Sequence, residues 1–308
     1  LFLCRMASVF KRVAQPRVRP DLWLGVIVIA VYAMAGASAL RLAVAEQEHA
    51  PKIRIAAIQP CVPQLKKWPP EFAREIFEKL DQQTSLARVA GPDLIVWPET
   101  AVPDAFGYDP ATTDFVMNMA AGGVPILVGS IEVGPSDAYG PTTFNSSFLV
   151  GTQGEVLDVY RKLHLVLFGE YLPFESWFPV LKRLAPLGFS CTPGKRQTVF
   201  RAPGLPAAFS VLICFEDAFA GLSRKAVRAG AQLLINQTND AWFDGSSGAI
   251  QHLAQCVFRS VENRVACVRA ANSGVTGFID WAGRIDALRT EDGGTSFCGF
   301  KLSNAAIP

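Results

Sequence analysis

The sequence predicts an α/β protein in which one apolar transmembrane helix precedes a larger domain of alternating strands and helices. The run from Leu22 to Leu40 holds nineteen residues without a charged side chain, which predicts the helix. From about residue 53 onward, short apolar runs alternate with amphipathic segments, as in an α/β domain. With 308 residues and 50% hydrophobic content, the chain is long and apolar enough for one large core.

The N-terminal apolar run is long enough to cross a bilayer. As an α-helix it spans roughly 28 Å, whereas the apolar part of a secretory signal is only about 7–15 residues long. The basic residues that precede it are Arg5, Lys11, Arg12, Arg17 and Arg19. By the positive-inside bias, the start of the chain is therefore cytoplasmic and everything after residue 41 lies outside.

We divide the chain accordingly, and because it opens on Leu1 we expect a fragment of a longer membrane protein. The predicted segments are a cytoplasmic or preceding-helix remnant at 1–20, the transmembrane helix at 21–41, a linker at 42–52 and the α/β domain at 53–300. The strands predicted in that domain are 53–59, 93–99, 125–133, 145–150, 208–215, 232–238, 264–271 and 276–282. Its predicted helices are 71–90, with Phe72, Ile76, Leu80 and Leu86 on one face, 218–230, and 248–262, with Ile250, Leu253, Val257 and Val261 on one face.

Composition argues against several classes of function. A net charge of +2 and a pI near 8.2 give no indication of a nucleic-acid partner. The seven cysteines are odd in number and never in a C-x-x-C spacing, so neither a zinc site nor a disulfide framework is predicted. With three histidines in the chain, we expect no histidine-based metal centre, and we predict no metal and no cofactor.

Reactive side chains follow several predicted strands. Glu99 ends one apolar strand, Cys214 ends another in "VLICFED", and Lys162 and Glu170 lie in the largely apolar stretch 159–174. Taken alone, Cys214 reads as a small apolar filler, because free cysteine is among the most buried residue types. In open α/β sheets, however, reactive groups gather outside the carboxyl ends of the strands, so these side chains can converge.

A carboxylate, an ammonium and a thiol form a coherent set for acyl transfer. A thiol near its ordinary pKa is mostly protonated at neutral pH and needs a base or a nearby cation to attack. Glu99 can accept the proton, and Lys162 can stabilise both the thiolate and the oxyanion of a tetrahedral intermediate. The product of the attack on an acyl group is a thioester on Cys214.

Three blocks of this sequence resemble the signature blocks of the nitrilase, or carbon–nitrogen hydrolase, superfamily, in the same order. They are "VWPE" with Glu99, "YRKLHLVLFGEYLP" with Lys162 and Glu170, and "LICFED" with Cys214. The resemblance covers roughly residues 53–285. It implies an α-β-β-α sandwich with a Glu-Lys-Cys triad.

More narrowly, the chain resembles the apolipoprotein N-acyltransferase family, on "FGEYLPFESWFP", "NDAWF", "RSVENRVACVRAANSGVTGFID" and the preceding helix. That resemblance implies that Cys214 attacks an ester of a phospholipid acyl donor, with Glu99 as general base and Lys162 at the oxyanion. The acceptor is the α-amino group of a diacylglyceryl-cysteine apolipoprotein. The implied location is the cell inner membrane, multi-pass in the full-length parent, with the catalytic domain on the periplasmic side.

The resemblance also implies supporting roles. Glu170 is expected to orient Lys162, and Glu216 matches the acidic residue two places after the nucleophile. Asn145, Asn239 and Trp242 are candidates for the acyl pocket, although Asn145 can equally cap a turn and Trp242 can equally pack in the core.

Other features receive structural interpretations or stay open. The segment 177–189 is either a lid that meets lipid or an ordinary packed helix. His164 and His252 lie in no spacing that pairs with a serine or a metal set, so we expect them to be structural. Arg259 and Glu262 are three residues apart on one predicted helix and should form a local ion pair.

Two alternative functions remain open on the sequence. One is a membrane-tethered carbon–nitrogen hydrolase that cleaves amides or nitriles. The other is a non-catalytic, membrane-anchored binding module of the nitrilase fold. The intact set of Glu99, Lys162 and Cys214 argues against the binding module, and the outside location and apolar loop favour the acyltransferase.

Overall fold

A computed structural model describes residues 20–137, 140–172, 190–243, 246–288 and 298–308. The candidate lid at 177–189 lies outside these residues. The chain divides between Glu46 and Gln47 into two compact units.

Helix α1 runs without interruption over Pro20–His49. Its stretch Trp23–His49 contains an 18-residue window with a mean hydropathy of 2.0 and is long and apolar enough to cross a membrane. Large apolar side chains along it, such as Leu24 and Ile29, are exposed, which is unfavourable in water and favourable in lipid. The helix continues beyond residue 41 and covers most of the predicted linker at 42–52.

The second unit alternates strands and helices, as the sequence predicts. Its strands are β1 (Lys52–Gln59), β2 (Leu94–Val96), β3 (Ile126–Asp137), β4 (Gly140–Val150), β5 (Val156–Arg161), β6 (Phe209–Ile213), β7 (Leu233–Thr238), β8 (Ala266–Ala271), β9 (Gly277–Ile279), β10 (Ile285–Ala287) and β11 (Gly299–Ala306). Its α-helices are α2 (Ala73–Val89), α3 (Pro110–Ala120), α4 (Ala220–Arg228) and α5 (Gly248–Asn263). Helix α3 and strands β5, β10 and β11 were not predicted from the sequence.

The strands form two sheets that pack face to face. One has six strands in the order β11-β1-β2-β3-β4-β5, and the other has five in the order β10-β9-β8-β7-β6. Apolar residues from both sheets, including Ile55, Val96, Val211 and Ile235, form the core between them. Helices α2 and α3 cover the outer face of the first sheet, and α4 and α5 cover that of the second. The predicted α-β-β-α sandwich is therefore confirmed.

The buried face of α5 differs from its predicted apolar face. Leu253 is buried as predicted, but Ile250 and Val261 are exposed. The inward face carries His252 and Arg259 instead, and both are buried with charged partners. Periodicity of apolar residues could not identify this face, because two of its members are polar.

Helix α2 fits its prediction better. Ile76 and Leu80 are fully buried against the first sheet, although Leu86 is exposed.

A disulfide joins Cys61, two residues after β1, to Cys298, one residue before β11. The two strands pair antiparallel, with Gln59 opposite Gly299, so their ends bring the cysteines together. The two cysteines are 237 residues apart in the sequence, and the disulfide was not predicted from the sequence. The other cysteines among the described residues, Cys191, Cys214, Cys256 and Cys267, are not in disulfides.

Candidate active site

The predicted nucleophile follows directly after β6, in a strained backbone turn. Cys214 has a φ of +53°, in the left-handed region that costs an ordinary residue roughly 1–2 kcal/mol. Thr100, next to Glu99 after β2, has a φ of +42°. Strained positions of this kind persist where the surroundings hold them, and they concentrate at functional sites. Two of the three predicted catalytic residues thus lie at or beside such a position.

Lys162 follows β5 and is buried between two carboxylates. Its ammonium lies 2.9 Å from Glu170 Oε1 and 3.7 Å from Glu99 Oε1, and the residue is 1% exposed. Burial opposes its charge, but the interactions with Cys214, Glu99 and Glu170 outweigh burial and raise the pKa of Lys162. The lysine is therefore an ammonium at neutral pH.

Asn145, on β4, ties the two carboxylates together. Its Nδ2 donates to Glu99 Oε1 and to Glu170 Oε1, each at 2.8 Å. The backbone N–H of Val166 donates to the other Glu170 oxygen at 2.8 Å. Asn145 is thus neither a turn cap nor a surface residue, and Glu170 directly contacts the lysine that it is expected to orient.

The thiol of Cys214 lies in the field of this charge cluster. Burial and the charge of Glu99 raise the pKa of Cys214 to about 12, while Lys162 and a hydrogen bond from Thr238 lower it. At neutral pH the resting thiol therefore carries its proton. A nucleophilic attack by this sulfur requires a base that removes the proton in the same step, and Glu99, 3.7 Å from the Lys162 ammonium, is the carboxylate predicted for this role.

Glu216, the acidic residue two places after the nucleophile, is fully buried and accepts several hydrogen bonds. Its carboxylate accepts hydrogen bonds from the backbone N–H groups of Leu163 (2.7 Å), His164 (3.0 Å) and Ile213 (2.8 Å), and from the Tyr160 hydroxyl. Burial raises its pKa, against these hydrogen bonds. The glutamate therefore fixes the segment after Lys162 against the turn that carries Cys214.

The remaining predicted site residues differ in their environments. Asn239 is buried, donates to Gln64 Oε1 at 2.8 Å and accepts from Asn272 Nδ2 at 2.9 Å. Trp242 is 61% exposed, so it does not pack in the core. Its role in substrate binding stays a prediction.

Five exposed aromatic side chains lie in the chain segments that carry or follow the predicted site residues. Phe215 follows the nucleophile directly and packs edge to face with Phe219, at 5.9 Å between ring centroids. Phe243 packs edge to face on His252, and Phe168, at the Glu170 turn, is 59% exposed. We call Phe168, Phe215, Phe219, Trp242 and Phe243 the aromatic rim. Exposed aromatic side chains close together in sequence and structure are typical of apolar ligand or membrane contact.

Lys67 is a second buried lysine at the site for which the sequence indicates no role. Its ammonium donates to the backbone carbonyl of Glu99 at 3.1 Å, and the residue is 2% exposed. Burial lowers the pKa of Lys67 to about 8, although Glu99 and Cys214 raise it. Two lysines occur in "LKKWPP", and nothing in that polar stretch separates the buried Lys67 from Lys66, which pairs with Glu75 near the surface.

Arg269 is the other residue that the sequence does not single out. It lies on β8, is fully buried and contacts Asp217 at 3.2 Å and Asp240 at 2.8 Å. His252 contacts the same two aspartates, while Arg259 and Glu262 form the predicted local pair at 2.8 Å. The structural interpretation of His252 therefore involves a buried ion cluster.

Comparison with known proteins gives a consistent family. The family model for carbon–nitrogen hydrolases matches residues 54–300. Curated relatives include the apolipoprotein N-acyltransferase of Geobacter metallireducens, which is 38% identical over 76% of this chain and 45% of the relative. The apolipoprotein N-acyltransferase of Brucella melitensis is 32% identical over 87% of this chain and 51% of the relative. The chain thus spans about half the length of these relatives.

Similar solved structures show the fold. An amidase of the nitrilase superfamily from Nesterenkonia AN1 has a TM-score of 0.57 and 21% identity, covering 84% of this chain and 93% of the amidase. Nit3 of Saccharomyces cerevisiae, also of the nitrilase superfamily, has a TM-score of 0.60 and 18% identity, covering 83% of this chain and 90% of Nit3. With the family model matched over most of its length, the chain belongs to the carbon–nitrogen hydrolase family.

Proposed function

We propose that this chain carries the catalytic domain of a membrane-bound N-acyltransferase that moves a fatty acyl chain from a phospholipid to the N-terminal amine of a diacylated lipoprotein. The observation that carries the proposal is the buried Lys162 between Glu99 and Glu170, beside the strained turn of Cys214. Glu99, Lys162 and Cys214 are the proposed triad. The relatives named apolipoprotein N-acyltransferase support the choice of reaction.

In the first half of the proposed reaction, the Cys214 sulfur attacks the ester carbonyl carbon of the phospholipid. Glu99 takes the thiol proton as the S–C bond forms, because the thiol is protonated at rest. The oxyanion that forms is stabilised by the Lys162 ammonium. The ester C–O bond then breaks, the proton on Glu99 passes to the leaving alcohol, and a thioester remains on Cys214.

In the second half, the neutral α-amine of the lipoprotein's diacylglyceryl-cysteine attacks the thioester carbonyl. Lys162 again stabilises the oxyanion, and Glu99 accepts the proton that the amine nitrogen loses. The C–S bond breaks, the amide product leaves, and the proton returns to the sulfur. Glu170 and Asn145 hold Lys162 and Glu99 in place through both halves.

Lipid substrates are supported by two apolar features. The aromatic rim offers exposed rings next to Cys214, and α1 offers an apolar surface of membrane-spanning length. We propose that the protein resides in the cell inner membrane, multi-pass in its full-length form, with the catalytic domain on the periplasmic side. The Cys61–Cys298 disulfide supports this side, because such bonds persist in oxidising compartments.

The test uses the full-length membrane protein with phospholipid and a synthetic diacylated lipopeptide. Mass spectrometry should detect a triacylated lipopeptide, which Cys214→Ala should abolish and Cys267→Ala, at a free buried cysteine, should leave intact. Full transfer by the Cys214→Ala protein would refute the mechanism. If the phospholipid were consumed but only free fatty acid appeared, the alternative of a membrane-tethered hydrolase would be favoured instead.

A further inference from the structure

A cluster of four buried charged side chains lies next to the nucleophile, and the proposed reaction does not use it. Arg269 contacts Asp217 and Asp240, and His252 contacts the same two carboxylates at 3.1 Å and 2.9 Å. Each member is at most 5% exposed. We call Asp217, Asp240, His252 and Arg269 the ion cluster.

The ion cluster is balanced in charge. Burial opposes protonation of His252, but hydrogen bonds to Asp217 and Asp240 outweigh it and raise its pKa to about 9. At neutral pH the cluster therefore contains two cations and two carboxylates. Replacing such ions by apolar residues is often neutral or stabilising, so a buried ion cluster is weak support for a purely stabilising role.

Two side chains connect the ion cluster to Cys214. Arg269 Nη1 donates to Asn236 Oδ1 at 2.6 Å, and Asn236 Nδ2 donates to the backbone carbonyl of Cys214 at 3.0 Å and to that of Leu212 at 3.1 Å. This amide thus holds the backbone on both sides of the turn with positive φ. Because left-handed backbone at a non-glycine residue is unfavourable, it requires restraints of this kind.

The second connection reaches the sulfur. The hydroxyl of Thr238, at the end of β7, lies 3.2 Å from Asp240 Oδ1 and is fully buried. A hydrogen bond from the same hydroxyl to the Cys214 side chain favours the thiolate and so lowers the pKa of Cys214. A hydroxyl has one proton, so Thr238 donates to Asp240 in the resting site and can turn to the sulfur when the thiolate forms, while Asp240 keeps its cationic partners Arg269 and His252.

We propose that the ion cluster positions the nucleophile, with Arg269 holding Asn236 against the Cys214 backbone and Asp240 holding the Thr238 side chain beside Cys214 while the thiol is protonated. In this arrangement Asn236, Asp240 and Arg269 are positioning residues. The Thr238 hydroxyl donates a hydrogen bond to the sulfur when the thiolate forms. The inference rests on the proposed function only in taking Cys214 as the nucleophile.

The test measures alkylation of Cys214 by iodoacetamide at neutral pH in the intact chain, read from the Cys214 peptide by mass spectrometry. This reaction needs a thiolate but no lipid, so its outcome is independent of whether the acyl transfer occurs. Thr238→Val should slow alkylation by about tenfold, the effect of losing one hydrogen bond to a charged group. Thr238→Ser keeps the hydroxyl and should alkylate at close to the wild-type rate.

Two further variants separate positioning from general stability. Thr198→Val is the matched control, because this buried hydroxyl donates to the backbone carbonyl of Val159 at 2.9 Å, outside the ion cluster, and should leave alkylation unchanged. Arg269→Lys keeps a positive charge but cannot hold Asn236 and both aspartates together, and should slow alkylation several-fold. The proposal is overturned if Thr238→Val alkylates at the wild-type rate, if Thr238→Ser is as slow as Thr238→Val, or if Thr198→Val is slowed equally.

Discussion

Replacing Glu170 by glutamine tests the electrostatics of the buried lysine. The substitution keeps the size of the side chain and removes one negative charge 2.9 Å from the Lys162 ammonium, leaving Glu99 at 3.7 Å. At an effective dielectric constant of about 20, these two attractions amount to about 6 and about 4.5 kcal/mol. More than half of the attraction that these two carboxylates exert on Lys162 is therefore lost.

The net effect is smaller, because the glutamine no longer buries a charge and its oxygen can still accept from Lys162. One amide group, however, cannot accept from both Lys162 and the Val166 N–H as the carboxylate does. We expect the free energy of unfolding to fall by about 3 kcal/mol, as for a buried pair that loses one partner. We also expect kcat/KM for acyl transfer to fall by about a hundredfold, as when an oxyanion-stabilising group is misplaced.

Urea unfolding followed by tryptophan fluorescence measures the stability effect. Glu132→Gln is the control, because Glu132 pairs with the more exposed Arg161 and should cost no more than about 1 kcal/mol. Combining Glu170→Gln with Lys162→Met should cost clearly less than the sum of the single substitutions, because each removes the other's unpaired charge. Equal losses for Glu170→Gln and Glu132→Gln, or strict additivity of the double variant, would refute the electrostatic reasoning.

Three further predictions concern stability. Reduction of Cys61–Cys298 should lower the free energy of unfolding by about 2–5 kcal/mol, and Cys61→Ser should make the chain insensitive to reductant in the same urea assay. The pKa of His252 is raised from 6.5 to about 9, so its protonated form adds stability that is complete below pH 6.5 and is lost as the pH rises through about 9. The free energy of unfolding of the wild type should therefore fall by about 3 kcal/mol over this range, and His252→Gln should not show this fall. The lowered pKa of Lys67 acts in the opposite direction, so the free energy of unfolding should rise by about 3 kcal/mol between about pH 8 and pH 10.5. The Lys67→Met variant should lack this rise. Its acyl transfer should also fall, because the Glu99 carbonyl loses its hydrogen-bond donor. A His252→Gln or Lys67→Met profile parallel to that of the wild type would contradict the respective prediction.

The parts of the site that the sequence predicts are those with a local signal. Cys214 and Glu99 each follow an apolar run that switches at once to charged residues, and such a switch indicates the end of a buried strand. Lys162 and Glu170 were recognisable because charges are costly in a largely apolar stretch unless they are paired. Most of the strands follow from the alternation of apolar runs and amphipathic segments, whereas the two-sheet sandwich was expected only from the resemblance to the nitrilase superfamily.

The parts that the sequence does not predict depend on contacts between distant segments. Arg269 reads as an interruption of a buried strand, because its partner Asp217 is 52 residues away and brought near only by the second sheet. Cys61 and Cys298 are 237 residues apart and meet only because β1 pairs with β11. Lys67 lies in a polar stretch of the sequence, and in the structure its buried ammonium donates to the backbone carbonyl of Glu99, 32 residues away. None of these contacts produces a periodic pattern of residue types in the sequence.

The central claim is that Cys214 carries the acyl group during transfer. The most direct measurement incubates the full-length protein with phospholipid and no acceptor, and then analyses the Cys214 peptide by mass spectrometry. We predict a fatty acyl adduct on Cys214 that disappears when diacylated lipopeptide is added, as the triacylated product forms. A triacylated product that forms without any adduct on Cys214, or that forms equally well in Cys214→Ala, would contradict the account.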